Sequence, residues 1–217
     1  MRTSRPDSAP DFLLSRASGS VRTQGSAETF TDAFEAVDRL KSGQVPMVVG
    51  ALPFERDTAA ALTVPKRIIR EEGPLEPHAY YRNGTCLARV AGFDPEPEEH
   101  RRRVEAAVAT INASKLEKVV LARAVDIAFA KPVDPLLVAA RLIDLSYHRD
   151  GFAADLTPAG YPGTMLVGSS PEVLIKKQGS TVTAFPLAGS AARQKDKARD
   201  YLACMWSPRS DPDWREN

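Results

Sequence analysis

Hydrophobic and polar positions along this chain predict strands more often than helices. FLLSRASGSVRTQG, residues 12–25, offers two short strands around a glycine turn. QVPMVVGALPFE (44–55) reads as a buried strand, and ALTVPKRIIRE (61–71) as another whose proline marks an edge. Helical spacing first arises at Phe30, Phe34, Val37 and Leu40, opened by Thr29 and Asp32 in a capping-box arrangement and stopped by Gly43. A second helix is announced at Asp94-Pro95: an N-cap, a proline at the first helical position, then Glu96, Glu98 and Glu99 in the first turn. Its apolar face is Val104, Ala107, Val108 and Ile111. KVVLARAVDIAF (118–129) follows as a strand, and Asp134-Pro135 opens a third helix through LLVAARLIDL. GFAADL, TMLVG, EVLIK and TVTAF then form four short strand candidates separated by Gly, Pro and Ser turns. Consecutive strands without an intervening helix predict a mixed α+β fold with a large antiparallel component, not a doubly wound parallel sheet.

Composition narrows the function classes. With 217 residues, 43% of them hydrophobic, the chain is long enough for one sizeable core. Its 29 Lys and Arg nearly cancel 28 Asp and Glu, so no global field points to nucleic acid or an anionic membrane. No apolar run approaches the roughly 20 residues of a membrane span, and residues 1–28 lack the apolar stretch of a secretory signal. Cys86 and Cys204 form neither a metal-ligand pair nor a disulfide framework. A cytoplasmic protein with no nucleic-acid or membrane partner is the expectation. The Arg101-Arg102-Arg103 run does not change it, because Glu98 and Glu99 stand four residues before Arg102 and Arg103, the pattern of a salt-bridged exposed helix face. No dinucleotide fingerprint, P-loop, nucleophile elbow or zinc-protease motif occurs.

Three places carry candidate chemistry. Period-two alternation in 118–129 places Val119, Leu121, Arg123, Val125, Ile127 and Phe129 on one face, and Lys118 with mostly small residues on the other. Lys118 at a cavity wall would be desolvated and suited to act as a base; otherwise it simply begins a strand and reaches to solvent. Glu172, in GSSPEVL, is flanked by apolar strands that would keep its carboxyl protonated as a general acid; in isolation it is a solvated turn residue. In PLAGS, Gly189 permits close backbone approach and Ser190 offers a hydroxyl suited to a carboxylate.

EKVVLAR, GSSPEVL and FPLAGSAAR, in this order and spacing, resemble the chorismate-utilising enzymes, and among them most closely the isochorismate synthases. The resemblance covers roughly residues 10–203. It implies largely antiparallel sheets flanked by helices, with Lys118 as the base that activates water toward C2 of chorismate and Glu172 as the acid that protonates the departing C4 hydroxyl. Gly189 and Ser190 then bind near a substrate carboxylate. A lysine at 118 separates this branch from ammonia-using relatives, where a glutamine tends to stand. The resemblance assigns no role to Arg123 or Arg193. Salicylate synthase, which shares the lysine and the glutamate, is the enzymatic alternative. A non-catalytic remnant or half of a split enzyme is the other.

The resemblance also implies magnesium, a product destined for siderophore or menaquinone synthesis, and further chain after the LAGS motif. Here ARDYLAC gives way to MWSPRSDPDWREN, which has no helical periodicity. The expected organisation is a disordered head over 1–10, the N-terminal part of a chorismate-binding domain over 11–203, and an atypical tail over 204–217. The fold is expected to be incomplete at its C-terminus and the activity impaired. No metal ligand is assigned (Glu216 has no matching context), and a complementing C-terminal chain is the expected partner.

Overall fold

The computed structural model describes residues 9–55, 57–82, 86–184, 195–196 and 198–199. Among the described residues, ten strands and four α-helices run in the order β1 (Phe12–Arg16), β2 (Gly19–Phe30), α1 (Ala33–Lys41), β3 (Val49–Ala51), β4 (Ala61–Glu71), α2 (Ala79–Arg82), β5 (Ala88–Asp94), α3 (Pro97–Ala113), β6 (Ala124–Phe129), α4 (Pro135–Leu145), β7 (Gly151–Asp155), β8 (Met165–Gly168), β9 (Lys176–Gln178) and β10 (Thr181–Thr183). The chain divides into two compact units, Met1–Ser169 and Ser170–Asn217. In the first, six strands form a sheet in the order β3-β4-β2-β1-β7-β8, while β5 and β6 pair as a separate two-stranded sheet. In the second, β9 and β10 form a hairpin. Every ladder among the described residues is antiparallel, as the pattern of helix-free strand neighbours predicts.

The core sits where α4 crosses the sheet. Asp134 caps this helix by accepting the Leu136 N–H at 3.0 Å, and Pro135 occupies its first turn, as read from the sequence. Leu136, Leu137, Ala139, Ala140 and Ile143 are buried against Leu13 of β1, Ala153 of β7, Leu75 and Tyr81. The approach is close because residue 151 is glycine: a Cβ there would stand 2.3 Å from Ile143 Cγ1. On β1 the buried row alternates Leu13 with Ser15, a polar side chain in a core position. Its hydroxyl donates to the Arg149 carbonyl at 2.6 Å and accepts the Leu75 N–H at 2.9 Å, so the burial leaves no cost unmet. A second cluster joins Phe30, Ala36, Val45, Ala60, Leu62 and Val64. Within the head expected to be disordered, Pro10 is buried and Ala9 lies against the first cluster.

Several elements differ from their sequence readings. Phe30 ends β2 instead of opening a helix, Asp32 alone caps α1 through the Phe34 N–H, and Phe34 points to solvent while Ala36 is the buried residue. Only Val49–Ala51 of the long 44–55 segment pairs, because prolines at 46 and 53 interrupt the ladder on either side. Pro65 lies inside β4 opposite a register shift between Ser26 and Glu28, and β3 pairs only as far as Thr63, so the proline meets a bulge on one side and an open edge on the other. α3 begins at Pro97, not Pro95, because Asp94 is held in the β5 ladder opposite Ala124. EVLIK yields a strand only from Lys176.

Candidate active site

Lys118 lies in the segment between α3 and β6, not inside a strand; β6 starts six residues later at Ala124. Leading into it, the Ser114 hydroxyl accepts the Leu116 N–H at 3.1 Å just after α3 ends. Lys118 is exposed, as are its neighbours Val119 and Val120. The alternation read across 118–129 therefore holds only over the paired part. There Val125, Ile127 and Phe129 share a face with their register partners Phe93, Val90 and Ala88. Arg123, which the sequence left without a role, stacks its guanidinium 4.5 Å from the centre of the Phe93 ring.

The glutamate-bearing turn is built by serine chemistry. β8 ends at Gly168, whose missing side chain leaves room for the Phe152 ring of the paired strand: a Cβ would come within 2.5 Å of its Cζ. Ser169 donates to the Asp150 carbonyl at 2.8 Å, closing the end of the β7–β8 ladder. In the second unit, the Ser170 hydroxyl accepts the Glu172 N–H at 3.3 Å, the local turn that Ser-x-x positions favour before a side chain is presented outward. Glu172 is exposed. Neither candidate is buried among the described residues. Lys118 and Glu172 belong to different units, and each is described within its own. Gly189, Ser190, Arg193, Cys204 and Glu216 lie outside the described residues. The positioning serines at 169 and 170 were missed from sequence; the signal available was the Ser-Ser-Pro turn itself.

Other charges serve the scaffold. Arg101 pairs with Glu98 at 2.6 Å and with Glu105, Arg102 with Glu99 at 2.9 Å, and Arg103 with Glu99 at 2.9 Å. Hydrogen bonds from Arg101 and Arg103, with Arg102 adding to the latter, hold the Glu98 and Glu99 carboxyls below their ordinary values. A second network links Arg82 to Asp144 at 2.8 Å and to Glu76, and Arg149 to Asp144 at 2.5 Å and Glu76 at 3.0 Å. The Arg82 hydrogen bond, with help from Arg149, lowers the Asp144 carboxyl. Among the described residues no group of three His, Cys, Asp or Glu side chains is placed to hold a metal ion. The magnesium implied by resemblance thus finds no holder among them. No helix among the described residues is long and apolar enough to cross a membrane.

Comparison with known proteins follows the same lines. Residues 66–205 match the family described as chorismate binding enzyme. The isochorismate synthase DhbC of Bacillus subtilis is 35% identical over 171 residues, covering 76% of this chain and 43% of that protein. A MenF protein of Mycobacterium tuberculosis is 35% identical over 202 residues, covering 88% of this chain and 52% of its own length. Among solved structures, the menaquinone-specific isochorismate synthase MenF of Escherichia coli superposes with a TM-score of 0.68 at 20% identity, over 92% of this chain and 53% of that one. A DhbC from Bacillus anthracis gives 0.69 at 23% identity, over 95% and 56%. The chain spans about half the length of the relatives it matches. Its α+β architecture of antiparallel sheets is that of the isochorismate synthase structures, and by the match over 66–205 the chain belongs to the chorismate binding enzymes.

Proposed function

We propose that this chain is one part of an isochorismate synthase, a cytoplasmic isomerase acting on chorismate. The observation that carries the reading is the coincidence of Lys118 and Glu172, in their motif contexts, with a family match that spans both. Lys118, as the free amine, takes a proton from a water that attacks C2. Glu172, as the carboxylic acid, gives a proton to the C4 hydroxyl, which departs as water. One hydroxyl enters and one leaves, so the product is isochorismate. Gly189 and Ser190 serve a substrate carboxylate by backbone approach and hydroxyl donation. Magnesium belongs to this reading as the family's cofactor, with no ligand assigned to it in this chain.

Both proton-transfer groups are exposed in this chain. The proton transfers call for a drier environment around them than the described residues make. A complementing C-terminal chain is the proposed source of that environment. The relatives reported above that carry an activity name are isochorismate synthases, which supports this product over salicylate. The test is product analysis after incubating chorismate and magnesium with this chain, alone and co-expressed with the C-terminal part of B. subtilis DhbC. Isochorismate from the pair, with little from the chain alone, is the expected result. Salicylate with pyruvate as the main products would overturn the assignment.

A further inference from the structure

Between α4, α2 and the six-stranded sheet, the first unit encloses a cavity of about 130 Å³. Its walls are Leu13, Leu75, Tyr81, Leu136, Ala140 and Ile143, all members of the main core cluster. Space remains because residue 140 is alanine: on the same helical face Leu136 and Ile143 stand one turn to either side, and only a methyl group lies between them. Five of these six side chains carry no polar atom, so a water inside would lack the roughly two to four partners that hold one in place. A carbon ring suits such walls better, since a dry cavity of about 150 Å³ holds benzene.

The mouth has a different chemistry. Half-buried Arg22 and exposed Glu76 and His78 complete the lining. Glu76 is already held by Arg82 and, at 3.0 Å, by Arg149. Arg22 is only partly used. One terminal nitrogen donates to Glu71 Oε1 at 2.6 Å, while its Nε is buried with no hydrogen-bond partner among the described residues. Buried donors are nearly always paired, so an unpaired one beside an apolar cavity calls for an acceptor. His78 adds a second donor: its Nδ1 accepts the Tyr80 N–H at 3.1 Å, which in the neutral ring leaves the proton on Nε2.

We infer that this cavity binds a small aromatic carboxylic acid, with its single ring against Leu13, Ala140 and Ile143 and its carboxylate on Arg22. A bare anion would leave the apolar walls unfilled, and a bare hydrocarbon ring would leave the Arg22 Nε without an acceptor. The site lies wholly within the first unit, and its occupancy is read without catalysis, so it stands apart from the roles given to Lys118 and Glu172.

The test is titration of the full chain with benzoate, toluene and acetate, followed by backbone-amide NMR shifts and thermal melts. Benzoate should shift the amides of Leu13, Leu75 and residues 136–143 and raise the melting temperature, and acetate at the same concentration should do neither. Toluene should bind about tenfold more weakly than benzoate, the worth of one charge-assisted hydrogen bond. Arg22→Gln should weaken benzoate by about the same tenfold factor and leave toluene unchanged. Ala140→Leu fills the cavity and should abolish binding of both rings, with circular dichroism showing whether the fold is kept. Absence of benzoate binding overturns the inference, as do shifts confined to other residues. Binding that acetate or toluene matches, or that is indifferent to Arg22→Gln, overturns it equally.

Discussion

Gly151 and Ile143 form the tightest joint between α4 and the sheet, and a double-mutant cycle across them tests how the core is built. A methyl group at 151 would stand 2.3 Å from Cγ1 and 3.1 Å from Cδ1 of Ile143. Ordinary carbon contacts lie at about 3.5–4.0 Å, so the nearer overlap exceeds roughly 1 Å. Ile143 is 0% exposed and cannot swing out to relieve it. Gly151→Ala should therefore cost about 1–3 kcal/mol by overpacking. Ile143→Ala removes both clashing atoms and leaves a cavity, which should cost about 2–5 kcal/mol. In the double variant the new methyl enters the space the isoleucine vacated. Its total cost should fall short of additivity by about 0.5–3 kcal/mol. Urea titration followed by circular dichroism reads all four corners of the cycle, with a constant slope confirming comparable unfolding. Strict additivity would refute the packing described for α4 against β7.

Ser15→Ala removes the acceptor for the Leu75 N–H and the donor to the Arg149 carbonyl. It should lower stability by about 1–3 kcal/mol, seen as a drop in the urea midpoint, because two buried backbone groups lose their partner. Asp134→Ala deletes the α4 cap and should cost about 0.5–2 kcal/mol by the same measurement. Asp144 has its folded carboxyl value lowered, first by the Arg82 hydrogen bond and also by Arg149. Its contribution is thus present above the ordinary aspartate value of about 4 and is lost as pH falls through the lower folded value. Thermal melts between pH 7 and pH 3 should show a smaller fall for Asp144→Asn than for the parent chain; an equal fall would remove Asp144 from the account.

The parts most legible in sequence are those whose signals are local. Asp134-Pro135 marks α4 because an N-cap and a proline suffice to start a helix, and the strands at 151–155, 165–168 and 181–183 stand between Gly, Pro and Ser turns that bound them. The misreadings arise where a long-range partner decides. Asp94 looks like a helix cap until its pairing with Ala124 claims it for β5. Lys118 reads as the start of a strand because VVLAR is rich in strand formers, but strand structure needs a neighbour, and here the paired ladder begins only at Ala124. At the site, residue identities at 118 and 172 were readable from their motifs. Their solvent exposure was not, since period-two alternation separates two faces without saying whether anything covers either one. The role of Arg123 on Phe93 was equally hidden, because the contact joins residues thirty positions apart.

The central claim is that Lys118 and Glu172 carry the proton transfers of an isochorismate synthase once the complementing chain is present. The most direct measurement is the initial rate of isochorismate formation by the co-expressed pair, compared with pairs carrying Lys118→Ala or Glu172→Gln. The account predicts losses of about 10²–10⁴-fold in kcat for each, with the complex still assembled. A complex that keeps its rate without the Lys118 amine would contradict it.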